Sequence, residues 1–398
     1  MNIEKIRQDF PILQKNIIYF DNACMTLRPI PVINKINEYY KEYPACGGRS
    51  LHKLGKKVTE EVNKSRKTIS KFFNTKENEI IFTKNTTESI NLIANSLDLE
   101  KGDTVITTDK EHNSNLLPWQ LLKEKKGIQH LIVKSNLDNT FSLENFEKAM
   151  NKNVKLVSMV HTSNLDGVTI PIKEIAKIAH DYDALVLVDA AQSAPHKEIN
   201  VKKLDIDFLA CSGHKMMGPS GIGILYGKYD LLKELNPFLV GGDTVIDSTY
   251  ETHEFEKIPE KFEAGLQHYA GIIGLGEAAS YLMRIGRNNI EEHEKKLNKT
   301  ITENLAKYSE ITIIGPQKPE LRSGIFSFNI KNMDPHNIAS ILDASKNICI
   351  RSGMHCVHSW FNAHRLKGSA RASLYAYNTE EECKVFVEEI KKIIKLVV

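Results

Sequence analysis

The sequence predicts an α/β protein in which a large domain, built on a mostly parallel seven-stranded sheet covered by helices, precedes a smaller α+β C-terminal domain. Between residues 76 and 228, seven short apolar runs alternate with longer segments of helical period, and this alternation is typical of a parallel sheet. The runs are almost continuously apolar, as expected of strands that are buried on both faces. A chain of 398 residues is also too long for one small core, so we expect two domains.

The elements of the large domain follow one another in a simple order. The first forty residues contain a strand, "NIIYF", then the segment "DNACMTLRPIP" and a helix. The seven apolar runs that we predict as strands are "EIIFT", "DTVITTD", "HLIVK", "VKLVSMVH", "ALVLVDA", "FLACSG" and "GILYG". Helices are predicted between several of these runs, in "TTESINLIANSL", "SNLLPWQLLKEKK", "LENFEKAMNK" and "IKEIAKIAHDYD".

The C-terminal part begins with a long helical stretch at roughly 270–308. Strands are then predicted in "EITIIG", "GIFSFNI", "NICIRSG" and "RASLYAY", and helices in "DPHNIASILDAS" and "EEECKVFVEEIKKIIKLV". Strands and helices mixed in this way indicate an α+β domain. We therefore predict a large domain over residues 15–268, and a small domain over residues 269–398 that includes the N-terminal segment 1–14.

Composition and charge exclude several functional classes. The net charge is only +3, and the 53 basic and 50 acidic residues are mixed along the chain, which argues against a nucleic-acid partner or a membrane anchor. The longest apolar runs are too short to span a bilayer, and the start "MNIEKIRQDF" lacks the apolar core of a signal peptide. The six cysteines show neither a dense disulfide pattern nor a zinc-type CxxC spacing. A cytoplasmic protein without a metal site is expected.

Polar side chains follow the apolar runs at the points where the predicted strands end. They are Thr86, Thr87, Glu111, His112, Asn113, Asn115, His161, Asn164, Asp189, Gln192, Ser212, His214 and Lys215. In a parallel sheet these ends face one crevice, which is where such folds bind ligands.

The chemistry of these groups suits one cofactor. A lysine can form a Schiff base with an aldehyde, and a carboxylate can keep a pyridine nitrogen protonated. Threonines at a helix N-terminus can bind a phosphate. Each group alone is explained as well by a solvated lysine, a turn or a helix cap. Together they predict a site for pyridoxal 5'-phosphate (PLP), which needs all three.

The segment "VDAAQ", followed by "SGHK" and "GPSGIGILYG", resembles the class V aminotransferase family of PLP enzymes of fold type I. Within that family the chain is most similar to the cysteine desulfurase and selenocysteine lyase branch, of the group II (SufS-like) kind. The resemblance covers nearly the whole chain and includes "FDNA", "NTTESINLIANS", "EHNSNLLPWQ", "SNLDGVTIP", "FEAG", "IRSGMHC" and "RASLYAYNTEEE".

The resemblance implies which residues act on the cofactor ring. Lys215 would form the Schiff base with PLP and later move the α-proton of the substrate. Asp189 would pair with the pyridine nitrogen, and Gln192 would donate a hydrogen bond to the phenolic oxygen. His112 would stack on the ring and take part in proton transfer.

The resemblance also implies how the phosphate and the substrate are held. Asn164 and Arg371 would bind the substrate carboxylate, for which the planar fork of arginine is suited. Arg351 would lie close to the site. The phosphate would be held by Thr87, Ser212 and His214, with Thr86 adjacent.

Cys356 in "RSGMHC" falls where cysteine desulfurases keep their nucleophile. In that chemistry a thiolate attacks the substrate sulfur and gives alanine and an enzyme persulfide. The basic neighbours His355, His358 or Arg351 would favour the thiolate. A cysteine between two histidines in a glycine-containing loop fits this role better than that of a buried structural thiol.

The function implied is a PLP-dependent cysteine desulfurase, a homodimer that passes sulfur from L-cysteine to an acceptor protein for iron–sulfur clusters or thio-cofactors. A selenocysteine lyase shares every motif and stays an alternative. A class V aminotransferase or epimerase would not need Cys356. A further alternative is a metal or persulfide scaffold formed by Cys24, Cys46 and Cys356.

Several segments depart from the family pattern. Cys24 stands in "DNACMT" where the family has small residues, and Cys46 lies just before the Arg49 loop, in which Gly48 takes a histidine position. After "FEAG", the residues "LQH" replace the Thr-Pro-Asn whose threonine reaches the phosphate of the partner subunit. After Cys356 the chain continues "VHSWFNAHR". We expect an altered substrate pocket or altered sulfur handling.

Overall fold

The structure is a computed structural model that describes residues 1–396. Strands β1 to β15 are, in chain order, Ile18–Tyr19, Ile80–Thr83, Thr104–Thr108, Gln129–Val133, Val154–Val160, Leu185–Asp189, Phe208–Ser212, Gly223–Gly227, Val245–Ser248, His253–Phe255, Ile311–Ile314, Ile325–Ile330, Ile348–Cys349, Arg351–Gly353 and Ser369–Ser373. Helices α1 to α14 are Ile3–Gln8, Ile30–Glu42, Lys53–Phe73, Thr86–Ser96, Asn113–Lys126, Leu143–Ala149, Ile172–His180, Val201–Leu204, Tyr229–Glu234, Tyr269–Ile285, Arg287–Leu305, Pro335–Lys346, His358–Ala363 and Glu380–Ile394.

The large sheet has seven strands in the order β2-β8-β7-β6-β5-β3-β4. Strand β8 runs antiparallel to both of its neighbours, and the other four pairings are parallel. The predicted α/β fold with a mostly parallel seven-stranded sheet is confirmed. The seven apolar runs of the sequence are these seven strands.

Burial on both faces explains why the strands read as continuous apolar runs. In β5, Val157 and Met159 pack in one hydrophobic cluster, while Leu156 packs in another. Successive side chains of a strand point to opposite faces, so each face of the sheet has its own core. Helices cover both cores: Phe72 of α3 lies in the first and Trp119 of α5 in the second.

The C-terminal part contains an antiparallel sheet in the order β11-β12-β15-β14. The N-terminal segment reaches both parts of the protein. Phe10 packs in a core of the large sheet, whereas β1 pairs with β13 and Phe20 packs with Phe386 in the core of the small sheet. The domain boundaries at residues 14 and 268 stay a prediction.

The long helical stretch predicted at roughly 270–308 is two helices. Helix α10 ends at Ile285 and α11 begins at Arg287. Between them Gly286 has φ 85°, a left-handed conformation that glycine adopts at little cost and that ends a helix.

The last helix ends at Ile394, and the final predicted helical residue, Val397, lies outside the described residues. No helix in residues 1–396 combines the length and the apolar character needed to cross a membrane.

Candidate active site

A cavity of about 220 Å³ lies at the carboxyl ends of β5, β6 and β7, where residues of both sheets meet. Glu111, Asn113, Asn115 and His161, which were also predicted to face the crevice, do not line it. The residues to which the sequence analysis assigned a role toward the cofactor, the substrate or the substrate sulfur do line it. These residues are Thr86, Thr87, His112, Asn164, Asp189, Gln192, Ser212, His214, Lys215, Arg351, Cys356 and Arg371. The structure therefore brings the whole set together, while the role of each residue stays a prediction.

Lys215 lies in a short 3₁₀ turn, Gly213–Lys215, directly after β7. The turn packs closely against the residue that precedes β8, because a Cβ on Gly213 would stand 2.9 Å from the carbonyl oxygen of Ile222. Burial lowers the pKa of the Lys215 ammonium, and the nearby Asp189 only partly offsets this. A lower pKa provides more of the neutral amine, which is the form that reacts with an aldehyde.

Asp189 is the last residue of β6 and is buried. Its Oδ1 accepts a hydrogen bond of 2.9 Å from the Ala191 backbone N–H. Burial raises the pKa of the carboxyl, while Ala191 and Lys215 act in the opposite direction. A buried carboxylate is stabilised by a cation beside it, and a protonated pyridine nitrogen would be such a cation. Nearby, the Gln192 side chain donates a 2.6 Å hydrogen bond to the carbonyl of Ala23.

His112 caps helix α5, and its Nδ1 accepts from the Ser114 backbone N–H at 3.1 Å. Burial, and then the charges of Lys215 and Arg371, lower its pKa to about 3. The imidazole is therefore neutral at neutral pH. Since Nδ1 is an acceptor, the hydrogen-bond network assigns the ring proton to Nε2. A neutral ring suits stacking on a cofactor that carries positive charge.

Glu111 positions His112, a role that the sequence analysis did not assign. The carboxylate is fully buried and accepts hydrogen bonds from the Thr108 hydroxyl at 2.6 Å, the Val160 N–H at 3.0 Å and the Asn115 amide at 2.7 Å. These donors belong to β3, β5 and α5. Glu111 thus fixes the first turn of α5 against the two strand ends.

Helix α4 begins at Thr86 on the cavity wall, and Asn85 is its N-cap. The backbone N–H and the hydroxyl of Thr86 contact the Ser212 hydroxyl at 2.9 and 2.7 Å. The Thr87 hydroxyl contacts that of Ser114 at 2.7 Å. Hydroxyl groups around a helix N-terminus form a site that suits a phosphate. Burial lowers the pKa of the adjacent His214 to about 4, so it would contact a phosphate as a neutral donor.

Arg371 of β15 is buried, and its Nη1 donates a 2.9 Å hydrogen bond to the carbonyl of Asn164. Its Nε is also buried and has no hydrogen-bond partner among residues 1–396. Buried donors are almost always paired, so this one fits a group that enters from the cavity. A carboxylate would match the guanidinium fork.

Asp21 is a site residue that the sequence analysis missed. Its Oδ2 lies 3.6 Å from Nη1 of Arg351, and its Oδ1 lies 3.6 Å from Nη2 of Arg371. The carboxylate thus sits between the two arginines and holds them in the cavity wall. The signal was present in the motif "FDNA", but the motif alone did not show which residues Asp21 contacts.

Cys356 is exposed on a short turn between β14 and α13. His355 and Cys356 both have left-handed backbone conformations, with φ 49° and 59°, which residues other than glycine rarely adopt. Two contacts hold the turn at the cavity rim. The Asn113 N–H donates to the Cys356 carbonyl, and the Asn164 amide donates to the His355 carbonyl, both at 2.8 Å.

The basic neighbours expected to activate Cys356 have other hydrogen-bond partners. His355 Nε2 contacts the Ser369 hydroxyl at 2.8 Å, and burial lowers the pKa of His355 to about 2, so the ring is neutral. His358 Nδ1 accepts from the Asn113 amide at 3.0 Å. Arg351 Nη1 donates at 2.7 Å to the sulfur of Cys24 instead.

The donor set of the cavity fits PLP. A buried lysine with a lowered pKa, a strand-end carboxylate and a hydroxyl-lined helix N-terminus surround one space, and PLP requires these three groups. The thiol scaffold has less support, since Cys46 does not line the cavity with Cys24 and Cys356. In residues 1–396 no group of three or more His, Cys, Asp or Glu side chains is arranged to hold a metal ion.

Comparisons with known proteins agree with this geometry. The family model for aminotransferase class-V matches residues 18–386. A probable cysteine desulfurase of Methanothermobacter thermautotrophicus is 40% identical over 397 residues, which are 99% of this chain and 98% of that protein. The apo structure of a cysteine desulfurase from Thermococcus onnurineus is 40% identical, with a TM-score of 0.95 over 98% of both chains. The cysteine desulfurase CsdA of Escherichia coli, in an S-sulfonic acid form, is 28% identical, with a TM-score of 0.93 over 100% of both chains.

Proposed function

This chain belongs to the class V aminotransferase family, and we propose that it is a PLP-dependent cysteine desulfurase that converts L-cysteine to L-alanine and retains the sulfur as a persulfide on Cys356. It has the PLP fold type I that the sequence predicted. The observation that carries the proposal is the placement of Lys215, Asp189 and the exposed Cys356 thiol on one cavity.

When bound, PLP would act as an electron sink for the substrate carbon. Lys215 would hold the cofactor and then move a proton between its Nζ and the substrate α-carbon. The Asp189 carboxylate would stabilise positive charge at the pyridine nitrogen. The unpaired Nε of Arg371 would bind the substrate carboxylate and set the orientation of the amino acid.

The Cys356 thiolate would attack the substrate sulfur. A sulfur–sulfur bond forms and the bond between sulfur and the β-carbon breaks. The electron pair of that bond stays with the carbon, which takes up a proton, so the organic product is alanine. The position of Cys356 on an anchored turn at the rim suits this step, because the thiol is held next to the cavity and remains exposed.

The proposed activity is tested by incubating the PLP-loaded protein with L-cysteine and a thiol reductant, and by quantifying alanine and sulfide. We expect the two products in equal amounts, and none from L-serine, which has no sulfur. Selenocysteine in parallel reactions distinguishes a desulfurase from a selenocysteine lyase. Transfer of the amino group to a keto acid, without alanine or sulfide from L-cysteine, would show an aminotransferase instead.

The assembly is part of the same proposal. The segment 238–266 exposes apolar side chains, among them Val240 at 64% and Leu266 at 72% exposure, and such exposure suits burial by a second copy. We expect a homodimer with a mass near twice the chain's 45.1 kDa, measured by light scattering. A monomer at micromolar concentration would contradict this. Transfer to an acceptor protein for iron–sulfur clusters or thio-cofactors, and a cytoplasmic location, stay predictions.

A further inference from the structure

The cavity contains a second thiol. Cys24 and Cys356 both line it, although they come from opposite ends of the chain. Cys24 is half-buried and belongs to the turn after β1, where its N–H donates to the carbonyl of Asp21 at 3.2 Å. Lys215 lines the same cavity, so both thiols share one space with the amine.

Cys24 is distinguished from the other cysteines by its contacts. The sulfur accepts a 2.7 Å hydrogen bond from Nη1 of Arg351, whose charge is held in place by Asp21 at 3.6 Å. A guanidinium donor stabilises a thiolate more than a thiol. Cys46 and Cys349 lie outside the cavity lining. Cys211 and Cys383 are buried, and burial raises the pKa of each thiol.

A second observation indicates that this side of the cavity accepts a ligand. Arg371 is only 2% exposed and lines the same cavity, with its Nε buried and unpaired among residues 1–396. Asp21 contacts both Arg371 and Arg351, and Arg351 contacts Cys24, so Cys24 and Arg371 lie on the same side of the cavity. A substrate bound at Arg371 would therefore lie next to Cys24, and sulfur released from it would have two thiols within the cavity.

We propose that Cys24 is a second sulfur carrier, which takes the outer sulfur of the Cys356 persulfide and frees Cys356 for another turnover. This inference rests on the proposed function, because the persulfide on Cys356 is its starting point. Arg351 is the positioning residue, because its Nη1 donates the 2.7 Å hydrogen bond to the Cys24 sulfur.

The step is a thiol–persulfide exchange and needs no external oxidant or reductant. The Cys24 thiolate attacks the outer sulfur of the Cys356 persulfide. A bond forms between Cys24 Sγ and that sulfur, and the bond between that sulfur and Cys356 Sγ breaks. The electron pair leaves with Cys356 as a thiolate, and the outer sulfur takes its proton along. Charge, sulfur and oxidation level are the same on both sides.

The test follows sulfur on the PLP-loaded protein. The protein receives less than one equivalent of ³⁵S-labelled L-cysteine without acceptor or reductant, is alkylated at successive times, and is digested so that the Cys24 and Cys356 peptides are separated. We expect label on Cys356 first and on Cys24 later, at a rate that does not depend on protein concentration. With about two equivalents of L-cysteine per chain, the chain should retain about two sulfurs, against about one in Cys24→Ser, a twofold difference.

Two variants make the assignment specific. Arg351→Gln should slow the appearance of label on Cys24 by about tenfold, while Arg351→Lys, which keeps a cation, should restore much of the rate. Cys46→Ser removes a thiol outside the cavity and should leave the time course of labelling on Cys356 and Cys24 unchanged. Retention of the visible absorption of bound PLP in each variant shows that it is folded.

Three results would overturn the proposed sulfur transfer from Cys356 to Cys24, which we call the relay. They are alanine formation without label on Cys24, label on Cys24 in Cys356→Ser, and a transfer rate that rises with protein concentration. In the first, the proposed function survives and the relay alone fails. If the unmodified protein forms no alanine at all, the proposed function fails and the relay fails with it, so the two failures are distinguishable.

Discussion

Lys215→Ala should abolish alanine formation from L-cysteine and remove the visible absorption of lysine-bound PLP. The loss in rate should be about 10⁴-fold or more, because one change removes both the amine that holds the cofactor and the group that moves the α-proton. Burial already favours the neutral, reactive amine by lowering its pKa. The measurements are an absorption spectrum of the purified variant and the alanine formed with added PLP.

Two matched variants distinguish the loss of the reactive amine from the loss of a positive charge and from a general effect on folding. Lys215→Arg keeps a cation near Asp189 but has no amine that forms a Schiff base with the cofactor, so it should be as inactive as the alanine variant. Lys202→Ala removes an exposed lysine of α8 and should match the unmodified protein in both measurements. Visible absorption and alanine formation that persist in Lys215→Ala would show that the cofactor is held elsewhere.

The sequence predicted the cavity well because strand ends obey a topological rule. Once the apolar runs were assigned to a parallel sheet, Asp189, Ser212 and Lys215 had to lie at the same edge. The chain order of the runs did not predict that β8 is antiparallel. It also did not predict that the helical stretch breaks at Gly286, since a glycine inside a helical pattern is often tolerated.

The contacts that sequence patterns did not predict join distant segments. Asp21 follows β1, which pairs with β13 in a separate two-stranded sheet. It meets Arg351 and Arg371 because it also bridges to Ser373 at the end of β15 in the small sheet. Arg351 lines the cavity together with Cys356, as expected, and it donates a hydrogen bond to Cys24, which is 327 residues away in sequence. Periodicity and local motifs carry no information on such pairs, so only the tertiary structure shows them.

Cys356→Ser should bind PLP with unchanged visible absorption, because the residue lies on the rim turn and the predicted cofactor-holding groups are elsewhere in the cavity. The spectral change on addition of L-cysteine should persist, since Lys215 and Arg371 remain. Alanine formation should fall by about 10³-fold or more, because a serine hydroxyl is a far weaker nucleophile than a thiolate at neutral pH. Alanine and protein-bound sulfur are measured in the same reaction.

The matched control is Cys46→Ser, which changes another exposed cysteine without touching the cavity and should keep full activity. Serine also keeps the size of the side chain at position 356, so the left-handed turn and its two anchoring hydrogen bonds need not rearrange. A loss confined to Cys356→Ser would therefore reflect the thiol itself. Retained alanine formation in Cys356→Ser, together with its loss in Cys24→Ser, would exchange the roles of the two thiols. If both variants instead keep full activity with an amino donor and a keto acid, neither thiol is used, and the protein is an aminotransferase.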